Sequence, residues 1–261
     1  MMCAAAIGKR ARLLLASAPM RVVSFVLAAL LVSISALADD APPAKPWATS
    51  FGGGLAITSG NTDTRNINVS FSTKYDPKTR IIFKSDVLYL RGSDNGSTTV
   101  DKLTANAREE YSVSDRTFAF GEIGVLRDPF KNISYLVAPI VGAGYRVIKS
   151  DLQNLAVDAG VGGQIEDNSV AGRSSGGAVK AGENYDYSFS KTGKFTQKLT
   201  GLWKMNDFAD ALYHFDAGLG ATLAAHTELK VGYAYDYKAK PIPDTLKKGD
   251  SALFIAVLFK Y

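Results

Sequence analysis

The chain of 261 residues holds two histidines, His214 and His226, and one cysteine, Cys3, so few side chains can take up and hand on a proton near neutral pH. His214 lies two residues before Asp216, with Asp207 and Asp210 just ahead of it. A histidine beside carboxylates is the minimum for acid–base chemistry, in which the carboxylate orients the ring and the ring activates water or a hydroxyl. His214 and Asp216 are therefore the candidate catalytic residues, and the reaction they would serve is hydrolysis. No nucleophile and no oxyanion-binding pattern can be assigned beside them. His226 falls in a predicted turn, where a solvated ring is expected. The glycines of Gly52-Gly53-Gly54, Gly142, Gly144, Gly160, Gly218 and Gly220 sit inside extended segments and match no phosphate-binding loop. The acidic residues Asp63, Asp94, Asp128, Glu166 and Asp167 are expected in solvated loops, so neither a metal nor a cofactor is predicted.

What would position His214 is a set of strands. From Trp47 onward the sequence divides into twelve segments of about ten residues, alternating apolar and polar and separated by turn signals. In Asn66 to Tyr75, the residues Ile67, Val69, Phe71, Thr73 and Tyr75 share one face, and Asn66, Asn68, Ser70, Ser72 and Lys74 the other. The same division recurs in Tyr135 to Val147, Leu155 to Ile165, Tyr213 to Leu223 and Leu229 to Tyr237. The remaining strands are placed near Ser50 to Ser59, Arg80 to Arg91, Val100 to Val113, Thr117 to Arg127, Val179 to Ser190, Lys194 to Lys204 and Ser251 to Tyr261. One face suits lipid and the other water. The predicted fold is all-β: a transmembrane, antiparallel, up-and-down β-barrel of about twelve strands over residues 49–261.

Three details agree with that architecture. Outward-parity basic residues Arg65, Arg91 and Lys191 fall at strand ends, where the cost of facing lipid is lowest. Connections on one side, such as Asp76 to Thr79 and Ala224 to His226, are short. On the other they are longer: Gly92 to Thr99, Glu166 to Ala178 and Ala239 to Asp250. Aromatics fall into two rims, Tyr75, Tyr111, Phe118, Tyr145, Phe195 and Tyr261 on the periplasmic side and Tyr89, Tyr135, Trp203, Tyr213 and Tyr237 on the outer side. One residue conflicts. Glu122 shares the face of Phe118 and Phe120, which a bulge near Gly121 would resolve by turning Ile123 and Val125 outward.

The inward parity then defines the lumen-lining candidates Lys74, Lys84, Asp86, Arg108, Glu110, Arg146, Asp158, Asp186, Lys198, Asp216, Lys230 and Asp236. Their charges nearly balance, which fits weak ion selectivity or internal ion pairs that close the interior. Small inward residues, among them Ser70, Ser72, Gly142, Gly144 and Gly160, are expected to leave room. In the last strand, Leu253, Ile255, Val257, Phe259 and Tyr261 share a face. This ending resembles the terminal strand of bacterial outer-membrane β-barrels, and the resemblance implies a C-terminal signal for barrel assembly, with the barrel assembly machinery as the expected partner and outer-membrane lipid and lipopolysaccharide around a monomer.

Residues 1–38 read as a removed signal peptide, with Lys9, Arg10, Arg12 and Arg21 as the positive region, Val22 to Ile34 as the apolar core and Ala36-Leu37-Ala38 as the cleavage site. Residues 39–48 read as a periplasmic N-terminal tail. The chain carries 30 Lys and Arg against 25 Asp and Glu, but the signal holds four of the basic residues, so charge gives no case for nucleic acid binding. Cys3 lies in the same segment, leaving no thiol for disulfide or redox chemistry in the remainder.

The order of Thr58-Ser59-Gly60-Asn61-Thr62-Asp63-Thr64-Arg65-Asn66, Tyr89-Leu90-Arg91-Gly92, Glu110-Tyr111, Phe118-Ala119-Phe120-Gly121-Glu122, Arg127-Asp128-Pro129-Phe130 and Gly142-Ala143-Gly144-Tyr145-Arg146 resembles a family labelled salt-induced outer membrane proteins, a domain of unknown function. The resemblance runs from about Trp47 to Tyr261. It implies a porin-like barrel in the outer membrane of a Gram-negative bacterium and a link to salt or osmotic stress, and it brings no ligand or catalytic residue with it. The expected role is a small channel or an envelope-structural protein, with an outer-membrane hydrolase using His214 and a soluble periplasmic binding barrel as the alternatives.

Overall fold

The computed structural model describes residues 46–61, 64–94 and 97–261. The expected signal peptide and most of the N-terminal tail lie outside the described residues. Twelve strands follow one another: β1 (Trp47–Ser59), β2 (Thr64–Tyr75), β3 (Ile81–Asp94), β4 (Ser97–Ser112), β5 (Thr117–Asp128) and β6 (Ile133–Lys149), then β7 (Gln153–Asn168), β8 (Gly172–Ser188), β9 (Gly193–Lys204), β10 (Asp207–Ala224), β11 (Thr227–Lys238) and β12 (Gly249–Lys260). Each pairs antiparallel with its sequence neighbours, and β1 closes on β12 in unbroken register from Ser50↔Lys260 to Ser59↔Ser251. Closure pairs the backbone groups of every strand and leaves no sheet edge. No described helix is long and apolar enough to cross a membrane.

The sequence alternation becomes an inside and an outside. Phe51, Leu55, Ile57, Ile67, Val69, Phe71, Val141, Val161, Leu219, Leu253, Ile255, Val257 and Phe259 point away from the barrel, each more than a third exposed. Monomeric soluble proteins rarely carry contiguous apolar patches beyond a few hundred Å². This exterior is apolar around the barrel while charged groups fill the inside, the arrangement a lipid surround favours. At the near end, where β1 begins and β12 ends, Trp47 packs on Tyr75 with ring centroids 4.6 Å apart. At the far end, Trp203, Tyr213 and Tyr237 form a chain of rings at 5.6 and 6.1 Å.

Three features differ from the sequence reading. The segment Glu166 to Ala178 is largely strand: β7 and β8 run on as a hairpin to Asn168↔Gly172, so the far side carries projecting ladders where an irregular loop was expected. Similarly, β3 and β4 reach Asp94↔Ser97. The third concerns β5. Its register with β4 is continuous from Leu103↔Arg127 to Ser112↔Phe118, so there is no bulge at Gly121. Phe118, Phe120 and Glu122 share a face as expected, but that face is the lumen, and Phe118 belongs to no rim girdle. Alternation fixes which residues share a face. Which face is inside depends on partners, and here two arginines inside hold the rings.

Candidate functional site: a lumen with one packed wall and one open chamber

The packed wall is built on β3 to β8. Arg108 stands at its centre: Nε donates to Glu110 Oε1 at 2.9 Å, Nη1 to Glu122 Oε2 at 2.8 Å and Nη2 to Asp158 Oδ2 at 3.1 Å. The guanidinium's fork of donors suits three carboxylates at once. Lys84 Nζ adds a bond to Glu110 at 2.8 Å, Lys180 pairs with Glu122, and Arg146 Nη2 lies 3.7 Å from Glu110 Oε2. Four cations thus meet three anions, and a desolvated charge cluster persists only when paired in this way. The Arg108 guanidinium also lies 3.8 Å from the Phe120 ring centroid, and that of Arg146 4.7 Å from the Phe118 centroid.

Glycines let those rings lie flat against the wall. A Cβ at Gly144 would meet Phe118 Cζ at 2.2 Å, and one at Gly142 would meet Phe120 Cζ at 2.7 Å. The small inward residues of β6 therefore accommodate aromatic rings, and the room expected there is filled.

Between the Arg108 cluster and the facing strands lies a cavity of about 410 Å³, which Glu122 and Lys180 of the cluster also line. Its upper sides are aliphatic, with Leu88, Leu126, Leu136, Ile140, Leu202 and Leu212 facing in, and Phe254 closes one corner. Asp86, Lys198, Asp216 and Lys230 line its lower part. They are loosely paired: Lys198 Nζ lies 3.9 Å from Asp86 Oδ2, and Lys230 Nζ 3.9 Å from Asp216 Oδ1. Since β3 and β9 sit six strands apart in a ring of twelve, the Asp86–Lys198 pair spans the lumen.

Towards the far end the lumen is crossed again. Lys102 of β4 pairs with Asp236 of β11, which also accepts from His214 Nδ1 at 2.8 Å if that nitrogen carries the proton. The connection after β5 forms a single 3-10 turn, Pro129–Lys131, that bends inward. Lys131 reaches across to Asp250 of β12 at 3.0 Å, and its side chain is only 2 % exposed. Beside it, Lys238 and Lys204 hold Glu166 at 3.1 Å each, and both reach Asp210, at 3.2 and 2.6 Å. The gradient in accessibility is steep: the Asp86 side chain is 59 % exposed within the barrel, that of Lys238 4 %.

Each sequence candidate now has a place. Arg108, Glu110, Asp158, Lys84 and Arg146 form the packed wall, and Asp86, Lys198, Asp216, Lys230 and Asp236 line the cavity. Lys74 binds Asp76 at 3.0 Å near the near-end turn, and Asp186 pairs in register with Thr196 on β9. The expected His214–Asp216 pair is not formed: His214 turns to Asp236 on the neighbouring strand, while Asp216 faces Lys230. Their spacing of two residues put them on one face, but the across-strand partner lies closer, as His214↔Asp236 is a direct register pair. Lys131, Asp250 and Glu122 were missed because they lie in a connection, at a strand margin, and on a face read as outward. Leu253, Ile255, Val257, Phe259 and Tyr261 all face outward and are exposed.

A model of the family described as "Protein of unknown function, DUF481" matches residues 52–261. The chain belongs to this family. The resemblance to a domain of unknown function therefore holds. A search of curated proteins finds no match. Among solved structures, the DUF481 chain is similar to the NanC porin (TM-score 0.56, 10% identity, 81% of this chain and 100% of that one). It is also similar to an outer membrane channel from Pseudomonas putida F1 (TM-score 0.50, 12% identity, 87% and 100%) and to the translocator domain of the autotransporter NalP from Neisseria meningitidis (TM-score 0.50, 11% identity, 92% and 94%). At these identities the likeness is one of fold.

Proposed function

We propose that this DUF481 protein is a small-solute channel of the bacterial outer membrane, exported on its N-terminal 38 residues and resting in a closed state. The observation that carries the reading is the cavity: an interior of about 410 Å³ bounded by ion pairs that cross the lumen and not by a continuous apolar core. Ion pairs between walls can part without unfolding either wall, whereas a packed core cannot open by small steps. The apolar exterior supports placement in lipid, and the porin and channel among the similar structures are consistent with this use of the fold. The near balance of lumen charge predicts weak ion selectivity.

The hydrolase reading would rest on His214. Its carboxylate partner Asp236 is also held by Lys102, so the ring serves as one post of a cross-lumen bridge. The test is planar-bilayer recording of the purified, refolded barrel. Small discrete conductance steps are expected. A folded barrel that inserts and never passes current contradicts the proposal and favours a structural role.

A further inference from the structure

The cavity is layered, and the layers follow from strand geometry. Residues two apart on one strand face the same side and are separated by about 6.6–6.8 Å along it. On β3, Asp86 is followed inward by Leu88. On β9, Lys198 is followed by Thr200 and Leu202, and on β10, Asp216 is preceded by His214 and Leu212. The result is a floor of two acids and two lysines, aliphatic sides, and the Lys102–Asp236–His214 bridge as a roof.

Two properties of this floor bear on a ligand. Its pairs sit at 3.9 Å, beyond hydrogen-bond distance, while the Arg108 cluster is made at 2.8 to 3.1 Å. Both signs are present in equal number, so a ligand bearing only one charge would leave floor groups opposed to it. Beside the aliphatic layer, Asn68 of β2 is 1 % exposed, borders the same cavity, and has neither its amide oxygen nor its amide nitrogen hydrogen-bonded. Buried amides are nearly always partnered, so an unpartnered one at a cavity wall marks unmet hydrogen-bonding capacity.

We propose that the cavity is a binding site for small zwitterions with an apolar body, the class to which apolar amino acids belong. The ligand's ammonium group replaces Lys198 or Lys230 against Asp86 or Asp216, its carboxylate takes the freed lysine, and its side chain lies against Leu88, Leu202 and Leu212. At about 410 Å³ the cavity is within the range of small-molecule sites and exceeds the size of one such amino acid. The inference rests on the reading of the lumen as a solute chamber.

The test is equilibrium binding of L-leucine to the refolded barrel in detergent micelles by isothermal titration calorimetry. Isovalerate, isoamylamine and isoamyl alcohol serve as ligands with the same body but one charge or none. Leucine should bind, each analogue at least tenfold more weakly, and the Asp86→Asn/Lys198→Gln double variant should lose at least tenfold in leucine affinity. Asp216→Asn/Lys230→Gln gives a second, independent disruption of the floor, with folding of each variant checked by heat-modifiable gel mobility. No leucine binding at millimolar concentration, equal binding of the four ligands, or unchanged affinity in both double variants overturns the proposal. Binding in micelles needs no open pore: leucine binding by a barrel silent in bilayers would sink the channel and keep the site, and conductance without leucine binding would do the reverse.

Discussion

The two walls of the lumen use the same residue types for opposite ends. Around Arg108, acids and phenylalanines interlock until almost nothing is exposed: the Asp158 side chain retains 1 %. Across the lumen and away from Arg108, Asp86, Lys198, Asp216 and Lys230 stand apart around a cavity. The difference is supplied by the aromatic rings and by the guanidinium. Arg108 bonds three carboxylates in one plane and stacks on Phe120, which excludes water and makes the wall rigid. Lysines facing single aspartates have no such organiser. A balanced count of lumen charges therefore conceals one tightly paired cluster and one loosely paired group.

The largest effect should come from removing the organiser. Arg108→Met leaves Glu110, Glu122 and Asp158 short of one cation and should cost ~3–5 kcal/mol, read from urea unfolding in detergent. A value near that of Lys198→Met, which should stay under ~1 kcal/mol as a loose and accessible pair, would erase the distinction between the walls. Next, Phe120→Ala should cost ~3–5 kcal/mol by leaving a cavity between Arg108 and Gly142. It should also raise single-channel conductance by joining that space to the chamber. Leu88→Ala, at the lining of the cavity, should cost less, ~1–2 kcal/mol, because its side chain already faces empty volume.

The far-end crossing gives a third step. Lys131→Ala removes a charge-assisted contact from the mouth and should cost ~1.5–3 kcal/mol while increasing the frequency of open events. The smallest effect lies outside both walls, in the near-end turn. There Asp76 is partly buried, which opposes ionisation, but Lys74 and Lys78 outweigh this and hold its pKa down to about 2 against an ordinary value of 3.8. Because the folded pKa is the lower, the contribution is complete above pH 3.8 and lost as pH falls towards 2. Asp76→Asn should therefore cost under ~1 kcal/mol at pH 7 and progressively less as pH falls through the folded value, with salt reducing the difference.

The fold was legible because a barrel spanning lipid must obey period two over its whole height, and Ile67, Val69 and Phe71 announce a face by themselves. Strand count, pairing order and most rim aromatics followed. The lumen was less so. Phe118 and Phe120 resemble lipid-facing residues in composition, and nothing local to β5 says that Arg108 and Arg146, on two other strands, will cover them. Asp236 could not be matched to His214 without the register of β10 on β11, nor Lys131 to Asp250 without the inward bend of its turn. Contacts across a lumen join residues remote in sequence, and alternation carries no information about distance through the middle.

The central claim, a chamber beside a packed cluster and beneath a closed mouth, is tested most directly by thiol accessibility. Single cysteines at Ser70, which borders the cavity, and Ala178, fully buried against Phe118 and Phe120, would be exposed to a small water-soluble methanethiosulfonate in the refolded barrel. Ser70→Cys should react and Ala178→Cys should not. In whole cells, externally added reagent should reach Ser70→Cys slowly, and faster once Lys131→Ala is added. Equal reactivity at both positions, or rapid external labelling of Ser70→Cys with Lys131 intact, would contradict it.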